Sequence, residues 1–349
     1  MFRHFRLPAL AAVLGLAVTS AYAQPILTAE TASPGGPPYM SITNLSNISA
    51  AAGIADLQVR SGLTLTDAVL DVADGKAELA NGPLILVFML SKGVGPFAAI
   101  GAEKGAELAS NLRALYPYNL GGYTMFSYDS TGFAGWDDLS GRTIYNGPPA
   151  GGALVGARQL MQIVGGVAEG DDYKGIQVNW GQSGRTISDG SADVFVLPES
   201  HPSQRIITTV AAGRVTIQSV PKDMFESEAF RRWATSPGNA PVTIPVEQLG
   251  YDDDVTVATE DGIWRSVNIT GAELVNKDVD ADVVKAMVAE YIRTMDTLKT
   301  SAPYAVNMGI GVIDAELSGF CGPNPLKYHP GAIAAWEEAG YTIPECAKP

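Results

Sequence analysis

The feature that most limits what this chain can become is a unit that occurs twice. In its first copy, Ile26-Leu27-Thr28-Ala29 reads as a strand and Ser33-Pro34-Gly35-Gly36-Pro37-Pro38 as a loop. Met40, Ile42, Leu45, Ile48 and Ala52 then recur at near-helical spacing. Leu57-Gln58-Val59-Arg60 is a second strand closed by Ser61-Gly62. Thr64 opens a helix bearing Leu65, Ala68, Val69 and Val72, with Asp67 placed for a capping box. The helix stops at Asp74-Gly75, where glycine supplies a left-handed terminus, and residues 84–90 form a continuous apolar run. In the second copy, Arg142-Thr143-Ile144-Tyr145 is a strand and residues 146–152, Asn-Gly-Pro-Pro-Ala-Gly-Gly, a loop. Leu154, Ala157, Leu160, Met161 and Val164 form a helical stripe. Gln177-Val178-Asn179-Trp180 is a strand, a short helix ends at Asp189-Gly190, and Val194-Phe195-Val196-Leu197 is a strand. Asp74-Gly75-Lys76-Ala77-Glu78-Leu79 and Asp189-Gly190-Ser191-Ala192-Asp193-Val194 stand at the same place in the two series, each Asp-Gly followed by Ala, an acid and an apolar residue.

Alternating strands and helices predict an α/β chain, with mostly parallel sheets flanked by helices. Two series predict two lobes. Residues 24–128 plus 256–349 are assigned to the first and 129–255 to the second, with hinge strands near 123–128 and 255–259. Val283, Val284, Met287, Tyr291, Met295 and Leu298 mark a long helix expected to pack on the first lobe.

The first 23 residues read as a secretory signal peptide: Arg3 and Arg6, a short apolar run, then Ala21-Tyr22-Ala23. The mature chain should begin at Gln24 and, having no later apolar run of about 18 residues, stay out of the membrane. A net charge of −14 argues against nucleic acid and anionic lipid as partners. Two cysteines and three histidines exclude a cysteine-based zinc site and leave little for any metal centre or proton relay. In an oxidising compartment Cys321 and Cys346 are expected to pair and staple the tail.

Against this background the chain resembles the extracytoplasmic solute-binding receptors of TRAP transporters, of the TAXI class. The resemblance rests on the Gly-rich first loop leading to Tyr39, on Asp138-Leu139-Ser140-Gly141-Arg142, on Asp189-Gly190-Ser191-Ala192-Asp193, and most specifically on His329-Pro330-Gly331-Ala332 with Glu338-Ala339-Gly340. It implies a two-lobed periplasmic binding protein, type II-like, with a ligand cleft between the lobes. It also implies a monomer in the periplasm of a Gram-negative bacterium that captures a small-molecule solute, often an acidic one, and delivers it to TRAP membrane permease subunits. No catalysis, cofactor or metal is implied. The second-lobe loop, Pro149-Ala150-Gly151-Gly152-Ala153, lacks the hydroxyls usual in the family, which leaves room for a less polar solute. An ABC importer or a sensor would suit the same fold.

Ligands of open α/β sheets sit beyond the carboxyl ends of the strands. That places the candidate ligand residues in five loops: Ser33, Gly35, Gly36 and Tyr39; Ser61, Gly62 and Thr64; Pro149, Ala150, Gly151 and Gly152; Trp180 and Gln182; Glu199 and His201. Helix N-termini there could hold a carboxylate without Lys or Arg. Glu199 could take a ligand ammonium, and Tyr39 and Trp180 could wall the pocket or be ordinary packing. Arg60 is read as an outward salt-bridge partner, and His329 as a helix cap. Asp252-Asp253-Asp254 is read as a solvated loop and residues 278–282 as a helix start. A secreted hydrolase would have to use His201 with Ser183 or Ser200.

Overall fold

Parallel strands can be joined only by a crossover, and the helices of each repeated unit supply one. The computed structural model describes residues 24–309 except 33, 35 and 150, together with 320, 321 and 326–349. The expected signal peptide lies outside them. The first unit is β1 (Ile26–Glu30), α1 (Pro37–Ala51), β2 (Asp56–Arg60), α2 (Leu65–Ala73) and β3 (Leu79–Pro83). The apolar run that follows is a helix, α3 (Leu84–Lys92), then come α4 (Ala102–Ala109) and the long strand β4 (Leu112–Tyr128). The second unit is β5 (Thr143–Tyr145), α5 (Gly152–Gly165), β6 (Lys174–Ile176), α6 (Trp180–Ser188) and β7 (Val194–Glu199). Then follow α7 (Gln204–Thr209), β8 (Val215–Gln218), α8 (Lys222–Glu226), α9 (Glu228–Ala234), β9 (Asn239–Pro245), β10 (Val255–Ala258) and β11 (Ile263–Asn276). The chain closes with α10 (Ala281–Ser301), α11 (Tyr304–Asn307), β12 (Lys327–Tyr328) and α12 (Pro330–Glu338).

The strands run β2-β1-β3-β11-β4-β7-β5-β6. β2, β1 and β3 are parallel, as are β6, β5 and β7. Each parallel triple is followed by one long antiparallel strand, β11 beside β3 and β4 beside β7. The two halves therefore repeat in space as they do in sequence. β4 and β11 pair with each other and run through both halves, so the ladder is continuous. The expected α/β fold is present, with a parallel triple in each half, and the shared strands join the two into a single mixed sheet.

The second crossing lies elsewhere than expected. Among the described residues, 255–258 pair only with β8, whereas β11 pairs with β9 over residues 263–269 and with β3 over 271–275. The strand expected at 177–180 ends earlier, at Ile176. Beyond it the Gln177 side chain donates to Asn146 Oδ1 at 2.8 Å, and the chain turns into α6 at Trp180.

One core cluster joins α1–α4, α10 and α12 to the first half of the sheet, with Val284, Met287, Tyr291 and Met295 of α10 in it, as the apolar stripe predicts, and Val288 besides. The second half has a core on each face, one around Leu160, Met161 and Trp233, the other around Phe126, Phe195 and Trp264. Cys321 and Cys346 are disulfide-bonded, Cα to Cα 5.4 Å. His329 caps α12, accepting from Gly331 N–H at 3.2 Å. Asp280 caps α10, accepting from the N–H groups of Asp282 and Val283.

Between α1, β3, β4, β11 and α10 the first half buries a carboxyl group, Glu273, at 0% exposure. Ser41 donates to it at 2.8 Å and Asn81 at 2.7 Å, while Tyr118 accepts from Asn81 at 2.9 Å. Tyr116 and Tyr291 stack beside them at 3.7 Å. Burial raises the Glu273 pKa to about 8, outweighing these donors.

Candidate functional site

The carboxyl ends of β3 and β7 lie against β11 and β4, Pro83 opposite Gly271 and Glu199 opposite Gly122, where the shared strands pass from one half to the other. In the first half the loops after β1 and β2 are tied together: Thr31 N–H donates to Arg60 O, and the N–H groups of Gly62 and Leu63 to Ala32 O and Thr31 O. Gly36 caps α1 through an extended backbone, φ −93°. Pro37 and Pro38 occupy the first helical positions, so two of the amides that a helix start ordinarily offers to an anion are missing. Tyr39 is half-buried. Ser61 and Gly62 are exposed. Thr64 is committed to its own helix: it accepts from Asp67 N–H at 3.1 Å and donates to Asp67 Oδ2 at 2.6 Å. With that carboxylate in its first turn, α2 is a poor anion site. Arg60 pairs with Glu30 on the neighbouring strand at 3.2 Å, as expected. Ser33, Gly35 and Ala150 lie outside the described residues.

The second half offers more. Gly151, at φ +119°, starts α5 with no capping side chain and no acid in the first turn. A Cβ at Gly151 or Gly152 would meet nothing within 4 Å, so the N-terminus of α5 faces open space beside the exposed Pro149. Orphan amides and the positive end of the dipole together suit an anionic or strongly polar group. The stem of this loop is braced. Asn146 donates to Glu169 at 2.7 Å, and Arg158 donates to the same carboxylate at 2.7 and 2.8 Å, holding it below the usual carboxylate range.

Trp180 is the first residue of α6 rather than a strand end, and Gln182 is exposed one residue beyond Gly181. The half-buried Trp180 ring carries the Arg205 guanidinium, Cζ to centroid 5.2 Å. Arg205 is ion-paired with Glu199, whose other oxygen accepts from Ser203 at 2.6 Å. Glu199 is therefore buried, with both carboxylate oxygens engaged by Arg205 and Ser203. Arg205 was missed by the sequence reading. The available signal was a cation six residues after Glu199, in a helix that Ser203 caps.

His201 is buried and pairs with Thr124 at 3.1 Å and with Tyr251 at 2.7 Å. Its ring lies edge-on to Trp264, 4.5 Å between centroids, and burial lowers its pKa to about 3. Ser183 donates to Trp180 O at 2.7 Å. With both ring nitrogens engaged by Thr124 and Tyr251, His201 is placed to brace the junction rather than to activate Ser183 or Ser200.

Of the expected ligand residues, the fold brings Trp180 and Glu199 together around Arg205, and it joins the Gly36 loop to the Ser61–Gly62 loop. Among the described residues no group of His, Cys, Asp and Glu could hold a metal ion, and no helix is long and apolar enough to cross a membrane.

No curated protein is similar enough to count as a match. Among solved structures, an extracytoplasmic solute receptor of Bordetella pertussis that binds pyroglutamic acid is 11% identical. It aligns over 90% of this chain and 93% of its own, with a TM-score of 0.45. A TRAP periplasmic solute-binding protein of Desulfovibrio salexigens with bound orotic acid is 10% identical over 89% of each chain, TM-score 0.45. The periplasmic ectoine-binding protein of a Halomonas elongata TRAP transporter is 11% identical over 90% of each, TM-score 0.41. A family model matches residues 29–340, nearly the whole described chain, and by that match the chain belongs to the NMT1-like family.

Proposed function

We propose that the chain is an extracytoplasmic solute receptor, of the TAXI class, which captures a small organic solute between its two halves and passes it to a TRAP-type membrane permease. The observation that supports this most is the pair of repeated units hung on two shared strands, β4 and β11, with the uncapped, glycine-lined start of α5 beside the junction. Such a frame can close by bending at the shared strands, as hinged binding proteins do. One half holds β1 to β3 with α1 to α4 and α10 to α12, the other β5 to β10 with α5 to α9, and β4 and β11 belong to both. The N-terminal signal reading supports export to the periplasm. The solute's polar end would meet the α5 amides, its body the face of Trp180, and its rim the loops at Gly36 and Ser61. Arg205, neutralised by Glu199, would add directionality more than net charge.

The test is isothermal titration of the mature chain, stripped of bound solute by unfolding and refolding, against pyroglutamate, orotate, ectoine, glutamate and 2-oxoglutarate. Micromolar binding to at least one, with a smaller radius of gyration in X-ray scattering, is expected. A folded chain that binds none of them, and carries no small molecule in its native mass spectrum when first purified, would sink the reading.

A further inference from the structure

The strand β4 is broken in register where it passes between the halves. Asn119 faces Thr270 while Gly122 faces Asn268, so β4 carries one residue more than β11 across this stretch. Gly121, within the bulge, has φ +126°, and a Cβ there would lie 2.8 Å from the Glu199 carbonyl carbon. The bulge is thus a place only glycine can occupy. It is also the natural place for the strand to bend.

Tyr123 is the first residue past it with a side chain. It stands opposite Pro198 of β7, and on the other side Ser266 Oγ donates to Tyr123 O at 2.5 Å. Its ring is buried and drives into α5 at Gly156: a Cβ on Gly156 would stand 1.9 Å from the Tyr123 hydroxyl. That hydroxyl donates to Gly152 O at 3.0 Å, in the first turn of α5. Burial pushes the phenol well above its usual pKa, so it stays a neutral donor.

We propose that Tyr123 is a positioning residue that carries bending at the Gly121–Gly122 bulge to the N-terminus of α5, so that the first turn of α5 moves as one body with the outer part of β4. The inference rests on the receptor reading for its purpose but not for its geometry. The ring blocks sliding of α5 along β4, and the hydroxyl fixes the rotation of its first turn. Without the hydroxyl, that turn would lag behind the strand.

The experiment uses the whole mature chain and its Tyr123→Phe variant, which keeps the ring. Hydrogen exchange over residues 152–157 should quicken by about tenfold, with exchange in α10 unchanged. For whichever of pyroglutamate or orotate binds the wild type, dissociation should be about fivefold faster at an unchanged thermal midpoint, a combination that loss of packing alone would not give. Gly156→Ala, which expels the ring, should quicken exchange over the same residues. Unchanged exchange there in Tyr123→Phe overturns the coupling whatever the chain binds. Faster exchange supports it even in a chain that binds neither acid, a result that would count against the receptor reading alone.

Discussion

Asp193 and Thr143 exchange two hydrogen bonds: the Thr143 N–H donates to Asp193 Oδ2 at 2.8 Å, and the Asp193 N–H returns to Thr143 O at 2.8 Å. Glu78 and Thr28 do the same in the other half, at 2.7 and 3.1 Å. In each case the parallel ladder begins one residue later, at Ile144↔Val194 and at Ala29↔Leu79. The acid of the repeated segment therefore takes the last strand amide that the ladder leaves unpaired. This is a physical reason for an acid to stand at the same place in both copies.

Removing either carboxylate should cost stability in proportion to one charge-assisted hydrogen bond. Asp193→Ala and Glu78→Ala are each expected to lose about 1–2 kcal/mol in urea unfolding, since both groups are part-exposed. Losses near zero at both positions would show that the amides find water as readily as the acid.

Glu273 makes stability fall as pH rises. Its folded pKa of about 8 lies above its ordinary value of 4.5, so the folded chain holds a proton that the unfolded chain has lost between those limits. Stability is full below pH 4.5 and declines up to pH 8, by at most about 1.4 kcal/mol per pH unit. Glu273→Gln should abolish this slope. Its unfolding free energy relative to wild type should rise between pH 4.5 and 8.5 by roughly 2–4 kcal/mol. Parallel pH profiles for the two chains would contradict the assignment.

Glu199 should restrain Arg205. In Glu199→Gln the guanidinium over Trp180 loses its counter-charge at a site only 21% exposed on the cation. Thermal stability should drop by about 1–3 kcal/mol in unfolding free energy. At the same time the affinity for monoanions such as pyroglutamate should rise about threefold or more. An affinity that falls with stability would place Arg205 away from the solute.

Reducing the Cys321–Cys346 bond, which closes a loop of 25 residues, should destabilise the chain by about 3 kcal/mol. The measurement is the thermal midpoint of the oxidised chain against Cys321→Ser/Cys346→Ser. Equal midpoints would mean the tail is held by its packing alone.

The repeated unit, the long α10 with its start at residues 278–282, and the caps at Thr64 and His329 were legible in the sequence because each depends on residues within a turn or two of one another. The fate of the candidate ligand residues was not. Ser203 and Arg205 stand close to Glu199 in sequence, but only the turn into the following helix brings them onto its carboxylate, and Thr124 and Tyr251, far away in sequence, enclose His201. Trp180 stands at a helix start rather than in a strand, the strand before it ending at Ile176, where the Gln177 side chain bonds Asn146.

By itself the sequence determined that the chain holds two like α/β units, since parallel strands with covering helices are specified by local periodicity, loop glycines and helix ends. Only the tertiary structure decided that β11 rather than residues 255–259 is the second shared strand, and that the sheet is single and mixed. Pairing between distant strands is chosen by which edges meet when the cores close, and a strand's own residues do not name its partner.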